Sequence, residues 1–398
     1  MFEHLEPYAG DPIFKLNDAF QADPRADKIN LTIGYYFDDA GRVPVMRSVQ
    51  QAQQALFDPT APRPYLPMAG DPVYRQAVQA LLFGADAASV TQERVITVQS
   101  IGGSGALRLG ADFLRRYFPA AHVWVSDPSW DNHRAIFEGA GFVVNSYPYY
   151  DEATGGVRFD AMLEGLRALP PRSVVLLHAC CHNPTGVDLT LDQWRAVLPV
   201  LAERELLPFL DIAYQGFGDG VEADAEVLRL FERSGMPFLV ASSFSKNFSM
   251  YSERCGALSI VCPSRAEADL VYGQMQLVVR KMYSSPPDHG VRLVAAVLNA
   301  PDWRVQWLEE LEGMRVRLVQ MRQQLHAVLT QRLPGVPVDR FIRQRGMFSY
   351  TGLSPEQVDR LREEFGVYLL RSGRLCVAGL NRRNVEPAAV ALATVMGR

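Results

Sequence analysis

The sequence predicts an α/β protein in which a mostly parallel sheet carries helices on both faces. Three observations predict it. From about residue 90 to residue 265, short apolar runs alternate with amphipathic stretches of helical length. The apolar runs are continuous, as in strands buried on both faces. Polar residues with chemistry to offer stand at the ends of those runs, where open parallel sheets bind their ligands.

In order, Val95-Ile96-Thr97-Val98 reads as a strand that runs into Gly102-Gly103-Ser104-Gly105 and then a helix over Ala106–Tyr117. Val123-Trp124-Val125 and Val174-Val175-Leu176-Leu177 are strands, and Leu191–Leu201 is a helix. Phe209-Leu210-Asp211 is a strand followed by a helix over Ala223–Arg233. Phe238-Leu239-Val240 and Ala257–Val261 complete the alternation. A long helical stretch from about Trp303 to Leu329 leads to a second unit with Met347–Tyr350, a helix over Ser354–Phe365 and a hairpin-like Val367–Gly379. The arm before about residue 45 is expected to pack with that unit. The expected division is a large domain over 46–305 and a discontinuous small domain from 1–45 and 306–398.

The 398 residues are 48% apolar and 21% charged, the balance of a soluble globular chain. A net charge of −4 argues against nucleic acid or an anionic membrane as partner. Five cysteines, an odd and modest number, suit free thiols in a reducing compartment. Met1–Glu6 carries no basic or apolar leader pattern, so a cytoplasmic enzyme is expected.

The chemistry concentrates in four segments. Lys246 closes Ser243-Phe244-Ser245-Lys246 just past the run Phe238–Ala241, and Arg254 follows eight residues later. A lysine at a strand mouth can condense with an aldehyde; Ser243, Ser245 and Arg254 suit a phosphate dianion. An aldehyde and a phosphate on one small molecule describe pyridoxal 5'-phosphate. Asp211, at the end of Phe209-Leu210-Asp211, offers the buried carboxylate that keeps a pyridine nitrogen protonated; alone, it reads as well as a strand-end cap. Tyr214, three residues on, can donate to the ring 3-oxygen, as can Asn183 in the turn Asn183-Pro184-Thr185-Gly186. Gly103 and Ser104 open a helix whose N–H groups can cradle phosphate. Trp130 can stack on a ring. A zinc reading of Cys180-Cys181-His182 fails on spacing, so no metal is expected.

Taken in order, the Gly-rich turn, Trp130, Asn-Pro-Thr-Gly, Asp-x-x-Tyr, Ser-x-Ser-Lys and Arg254 resemble the class I pyridoxal-phosphate-dependent aminotransferases, fold type I. The resemblance runs from Asp11-Pro12-Ile13 to Ser372-Gly373-Arg374. Tyr8–Pro12, Tyr65–Met68, Gly346–Leu353 and Leu361–Tyr368 draw it toward the bacterial aromatic-amino-acid branch, close to the aspartate aminotransferases. It implies a large domain with a mostly parallel seven-stranded sheet beside a smaller α+β domain. It implies Lys246 as the covalent anchor and proton carrier and His133 behind Asp211. It implies Arg374 as the clamp for the substrate α-carboxylate and Gly34 in a loop over the substrate. It also implies Tyr65 and Arg280 as residues offered to a partner subunit, hence a homodimer with shared sites. Arg280 would meet a distal carboxylate. Two positions depart from the family pattern: Met282, where asparagine is usual, leans toward aromatic substrates, and Arg371 stands where a small residue is usual. The expected reaction is transamination of aromatic L-amino acids with 2-oxoglutarate. Its alternative is the aspartate reaction. A lyase on the same fold is disfavoured by the two arginines, and a regulatory module by the complete set of site residues.

Overall fold

Seven strands form the central sheet: β1 (Val95–Ile101), β2 (Val123–Asp127), β3 (Val144–Pro148), β4 (Val174–His178), β5 (Leu207–Ile212), β6 (Phe238–Ser243) and β7 (Cys255–Val261). They belong to a computed structural model that describes residues 1–6 and 10–397; Tyr8 and Ala9 of the stretch Tyr8–Pro12 lie outside the described residues. The order across the sheet is β1-β7-β6-β5-β4-β2-β3. Every neighbouring pair is parallel except those of β7, which runs antiparallel to both β1 and β6. The sheet is thus the mostly parallel seven-stranded one, with a single reversed strand.

The apolar runs become strands because β-branched and aromatic side chains pack on both faces. All residues of β6 and β7 are buried, and Phe209 of β5 sits at the centre against Phe137, ring edge to face at 5.9 Å. Edge strand β3 escapes the sequence reading. Its Val-Asn-Ser-Tyr-Pro buries Val144 and Tyr147 but leaves Ser146 exposed, so it carries no continuous apolar run. Pro148 is tolerated because an edge strand can end there. The helices used below are α1 (Gly102–Tyr117), α2 (Asp131–Gly139), α3 (Val221–Ser234), α4 (Arg265–Met282) and α5 (Pro301–Arg332).

The chain divides into two compact units, Pro44–Val316 and a discontinuous one from Met1–Val43 with Arg317–Arg398. In the second, Ile29–Asn30 pairs parallel with Val367–Tyr368, and Phe348–Tyr350 pairs antiparallel with Arg374–Cys376. Val367–Gly379 does turn back on itself, with the Gly373 N–H donating to the Leu370 carbonyl at 2.8 Å and the Leu370 N–H to the Arg374 carbonyl at 3.2 Å, but no ladder joins its two strands. Leu31 lies where its ladder would run: its N–H donates to the Tyr368 carbonyl at 2.8 Å, and its own carbonyl accepts from the Cys376 N–H at 2.9 Å. The helix Pro355–Phe365 starts with a capping box between Ser354 and Gln357 and ends on Gly366 in the left-handed region. Among the described residues no helix is long and apolar enough to cross a membrane.

Candidate active site

Strands β2, β4, β5 and β6 all end at one edge of the sheet, and β7, being reversed, begins there. That edge collects the polar residues. Asp211, the second-last residue of β5, is buried, and its Oδ2 lies 2.9 Å from Nε2 of His133 on α2. With Asp211 ionised, Nε2–H donates to it, and Nδ1 of His133, 2.9 Å from Ser129 Oγ, accepts from that hydroxyl. Burial pushes the Asp211 carboxyl up, but the His133 hydrogen bond, with the neighbouring imidazoles and Lys246, outweighs it and holds the carboxyl below its ordinary value.

His178 ends β4 and stands opposite Asp211 in the sheet register. Its ring lies 5.0 Å from that of His133 and 4.2 Å from that of His182, and neither of its nitrogens has a hydrogen-bond partner among the described residues. Burial first, and then the neighbouring His133, push it down to about 3, so it is neutral at physiological pH. His182 stacks on Tyr149 at 4.2 Å. Behind Asp211 there is therefore a wall of imidazoles. Asn183 follows directly, buried, on a loop held by Asp188, whose carboxylate accepts the N–H groups of Cys181 at 2.7 Å and His182 at 2.8 Å.

Lys246 lies just beyond β6 with Nζ 4.8 Å from the centroid of the Tyr214 ring. The two loops are tied together: Asn247 Nδ2 donates to the Gln215 carbonyl at 3.2 Å, and Trp307 Nε1 of α5 donates to the Asn247 carbonyl at 2.8 Å. Trp130 caps the start of α2, its ring edge-on to His133 at 5.1 Å.

Hydrogen-bond donors gather where β1 passes into α1. Gly102, Gly103 and Ser104 make the first turn of α1, leaving N–H groups without helical partners. Gly103 faces Ser243, whose Cβ would lie 3.2 Å from an added one. Arg254, immediately before β7, donates from Nη1 to Ser245 Oγ at 3.3 Å, and its carbonyl accepts the Gly102 N–H at 2.8 Å. Gly102 adopts φ +65°, and a side chain there would meet the Arg254 guanidinium at 2.6 Å. Gly256 is as constrained, since a Cβ on it would lie 2.5 Å from the backbone of Gly102. The donors fit a phosphate, and Lys246 and the buried Asp211 lie along the same strand ends.

The remaining residues lie elsewhere. Tyr65 is 95% exposed. Arg280 is exposed on the last turn of α4 and bonds Ser284. Met282 is at the same helix end, partly exposed. Gly34 and Arg374 belong to the discontinuous unit, where Arg374 is buried and donates from Nη2 to the Thr32 carbonyl at 2.9 Å. Arg371 points outward to Asp359 at 3.0 Å, so its departure from the family pattern does not touch the Arg374 side chain's surroundings. The sequence reading missed His178, Asp188 and Asn247 as parts of the arrangement. Their one signal is position: each lies within a few residues of a motif.

The family model for aminotransferase class I and II matches residues 26–392. Over 397 residues, covering 100% of both chains, 56% of positions are identical to the aromatic-amino-acid aminotransferase of Escherichia coli (strain K12). The aspartate aminotransferase of Pseudomonas aeruginosa is 52% identical over 400 residues, again 100% of both. Among solved structures, the aromatic-amino-acid aminotransferase of Burkholderia pseudomallei, described as covalently bound to pyridoxal phosphate, superposes with a TM-score of 0.97 at 50% identity over 99% of each chain.

Proposed function

The chain belongs to the class I and II aminotransferases and is a transaminase, and from that premise we propose that it passes amino groups between aromatic L-amino acids and 2-oxoglutarate, with pyridoxal 5'-phosphate as cofactor. The observation that carries the cofactor reading is the make-up of one sheet edge. It has an anion cradle at the start of α1, a lysine beyond β6 and an ionised, buried carboxylate at the end of β5.

When bound, the cofactor's protonated ring supplies an electron sink for charge developing at the substrate Cα. Gly103, Ser104, Ser243, Ser245 and Arg254 would hold the phosphate. Asp211, steadied by His133, would keep the ring nitrogen protonated. Asn183 and Tyr214 would donate to the ring 3-oxygen, and Trp130 would cover a ring face. Lys246 would anchor the cofactor and then carry a proton at the substrate Cα. Arg374 would take the α-carboxylate through its planar fork, and Gly34 would lie in the loop that covers the substrate. Tyr65 and Arg280, exposed in the single chain, would serve a partner subunit in a cytoplasmic homodimer. Buried free thiols suit that compartment.

The relatives carry both aromatic and aspartate names, so the substrate preference is the part to test. Met282 in place of an amide donor supports the aromatic choice. The test is a half-reaction screen that follows conversion of the cofactor's aldehyde form with phenylalanine, tyrosine, aspartate and glutamate. Faster conversion by aspartate than by either aromatic would give the aspartate reading instead. Arg280→Ala should raise the phenylalanine-to-aspartate efficiency ratio by about a hundredfold, because only aspartate then buries an unpaired carboxylate. An unchanged ratio removes Arg280 from the pocket.

A further inference from the structure

The discontinuous unit holds a second buried guanidinium, for which the proposed reaction has no task. Arg322 lies on α5 and is 3% exposed. Its Nη1 donates to the Phe341 carbonyl at 3.1 Å and the Ser349 hydroxyl at 2.6 Å; its Nη2 donates to the carbonyls of Gly346 at 2.9 Å and Phe348 at 2.6 Å. The fork therefore fixes the backbone on either side of Met347 and the first two residues of the strand Phe348–Tyr350. That strand pairs with Arg374–Cys376, Tyr350 opposite Arg374. The Arg374 guanidinium lies 4.3 Å from the centroid of the Phe348 ring. Gly34 closes on the same ring, where a Cβ would stand 3.0 Å from Cζ. The Phe348 ring is thus a shelf under Arg374, and Arg322 holds the backbone that carries the shelf.

Burying a guanidinium costs free energy that an apolar side chain of the same length would not. What it supplies is a rigid planar set of donors, which lysine cannot reproduce. We propose that Arg322 is a positioning residue for carboxylate recognition: by fixing Phe348 it sets the height and tilt of Arg374. The proposal rests on the reading of Arg374 as the α-carboxylate clamp.

The test uses two non-reactive ligands of one shape, 3-phenylpropanoate and 3-phenylpropanol, titrated calorimetrically onto the cofactor-loaded enzyme. Arg322→Lys should weaken the carboxylate by about tenfold and the alcohol by less than about twofold, since a displaced clamp loses only the charged contact. Phe348→Leu should give the same selectivity, and the double variant should lose less than the product of the two single effects, because both act on one shelf. A packing defect alone would weaken both ligands or neither, and either result overturns the proposal. Arg374→Ala, run beside them, separates the premises. If it is not selective for the carboxylate, the reading of Arg374 fails. If it is selective while Arg322→Lys and Phe348→Leu leave the ratio of the two ligands unchanged, only the role of Arg322 fails. Should Arg322→Lys yield no folded protein, Phe348→Leu decides: a selective loss supports the shelf, and an unchanged ratio overturns it.

Discussion

At Asp211 two opposing effects meet on one carboxyl. Burial favours the neutral acid; the His133 hydrogen bond and the surrounding charge favour the ion, and the ion wins. Because the folded value lies below the ordinary 3.8, the ionised group favours the folded chain at neutral pH, and that contribution fades only as pH falls through 3.8 toward the depressed value. Asp211→Ala should slow the half-reaction far more than it weakens cofactor binding. Loss of a charge partner in a closed site costs about 3–5 kcal/mol, roughly two to three and a half decades of rate. Stopped-flow absorbance with phenylalanine checks this, and a barely slower mutant would reduce Asp211 to a strand cap. Lys246→Ala should still retain the cofactor through the cradle and Asp211, without a covalent link. Its spectrum should lack the lysine-bound band, and turnover within about tenfold of the parent would remove Lys246 from proton transfer.

At the scale of elements, what the sequence makes legible is local. Phe209–Asp211, Ser243–Lys246 and Asn183–Gly186 each join a buried run to polar residues within a few positions, so the strand and the role proposed for it can be read together. What stays hidden depends on neighbours far away in the chain. The edge strand β3 has too little apolar continuity to read. The place of Leu31 between two C-terminal strands rests on hydrogen bonds that cross more than 300 residues. His178 looks like a strand-end residue until the register sets it beside Asp211. Arg322 looks like any arginine on a 32-residue helix. The contact between Gly102 and Gly256 is of the same hidden kind and gives a prediction. Gly256→Ala sets a Cβ against backbone, which cannot rotate away, so β7 must shift from α1. We expect a loss of about 1–3 kcal/mol in urea unfolding, together with weaker cofactor binding in equilibrium dialysis. A variant with parental affinity would mean that the cradle does not depend on this approach.

For the molecule as a whole, the proposed shared-site dimer can be tested by complementation. Neither Lys246→Ala nor Arg280→Ala alone should turn over aspartate efficiently. Mixed, unfolded together and refolded, they should recover about a quarter of the parental sites, since half the dimers are hybrids with one intact site each. No recovery would mean that each chain supplies its own Arg280. The five cysteines are all buried, and burial pushes Cys255 up to about 12 and Cys262 and Cys376 up to about 11. A thiol reagent at pH 8 should therefore label none rapidly in the native protein and all five after denaturation; one fast-reacting thiol would contradict the packing. The reversed strand β7 has a consequence of another kind. Because it starts from the edge that β6 has just reached, Lys246 and Arg254 arrive on one short connection, while Asp211 and Gly103 come from distant stretches of chain. Surface connections elsewhere between the helices and strands can lengthen or shorten without moving a reactive atom. The segment 247–253 cannot: one inserted or deleted residue turns the arginine away from Ser245, which it bonds. In any library of length variants, that segment should be the stretch of the large unit where gaps are not tolerated.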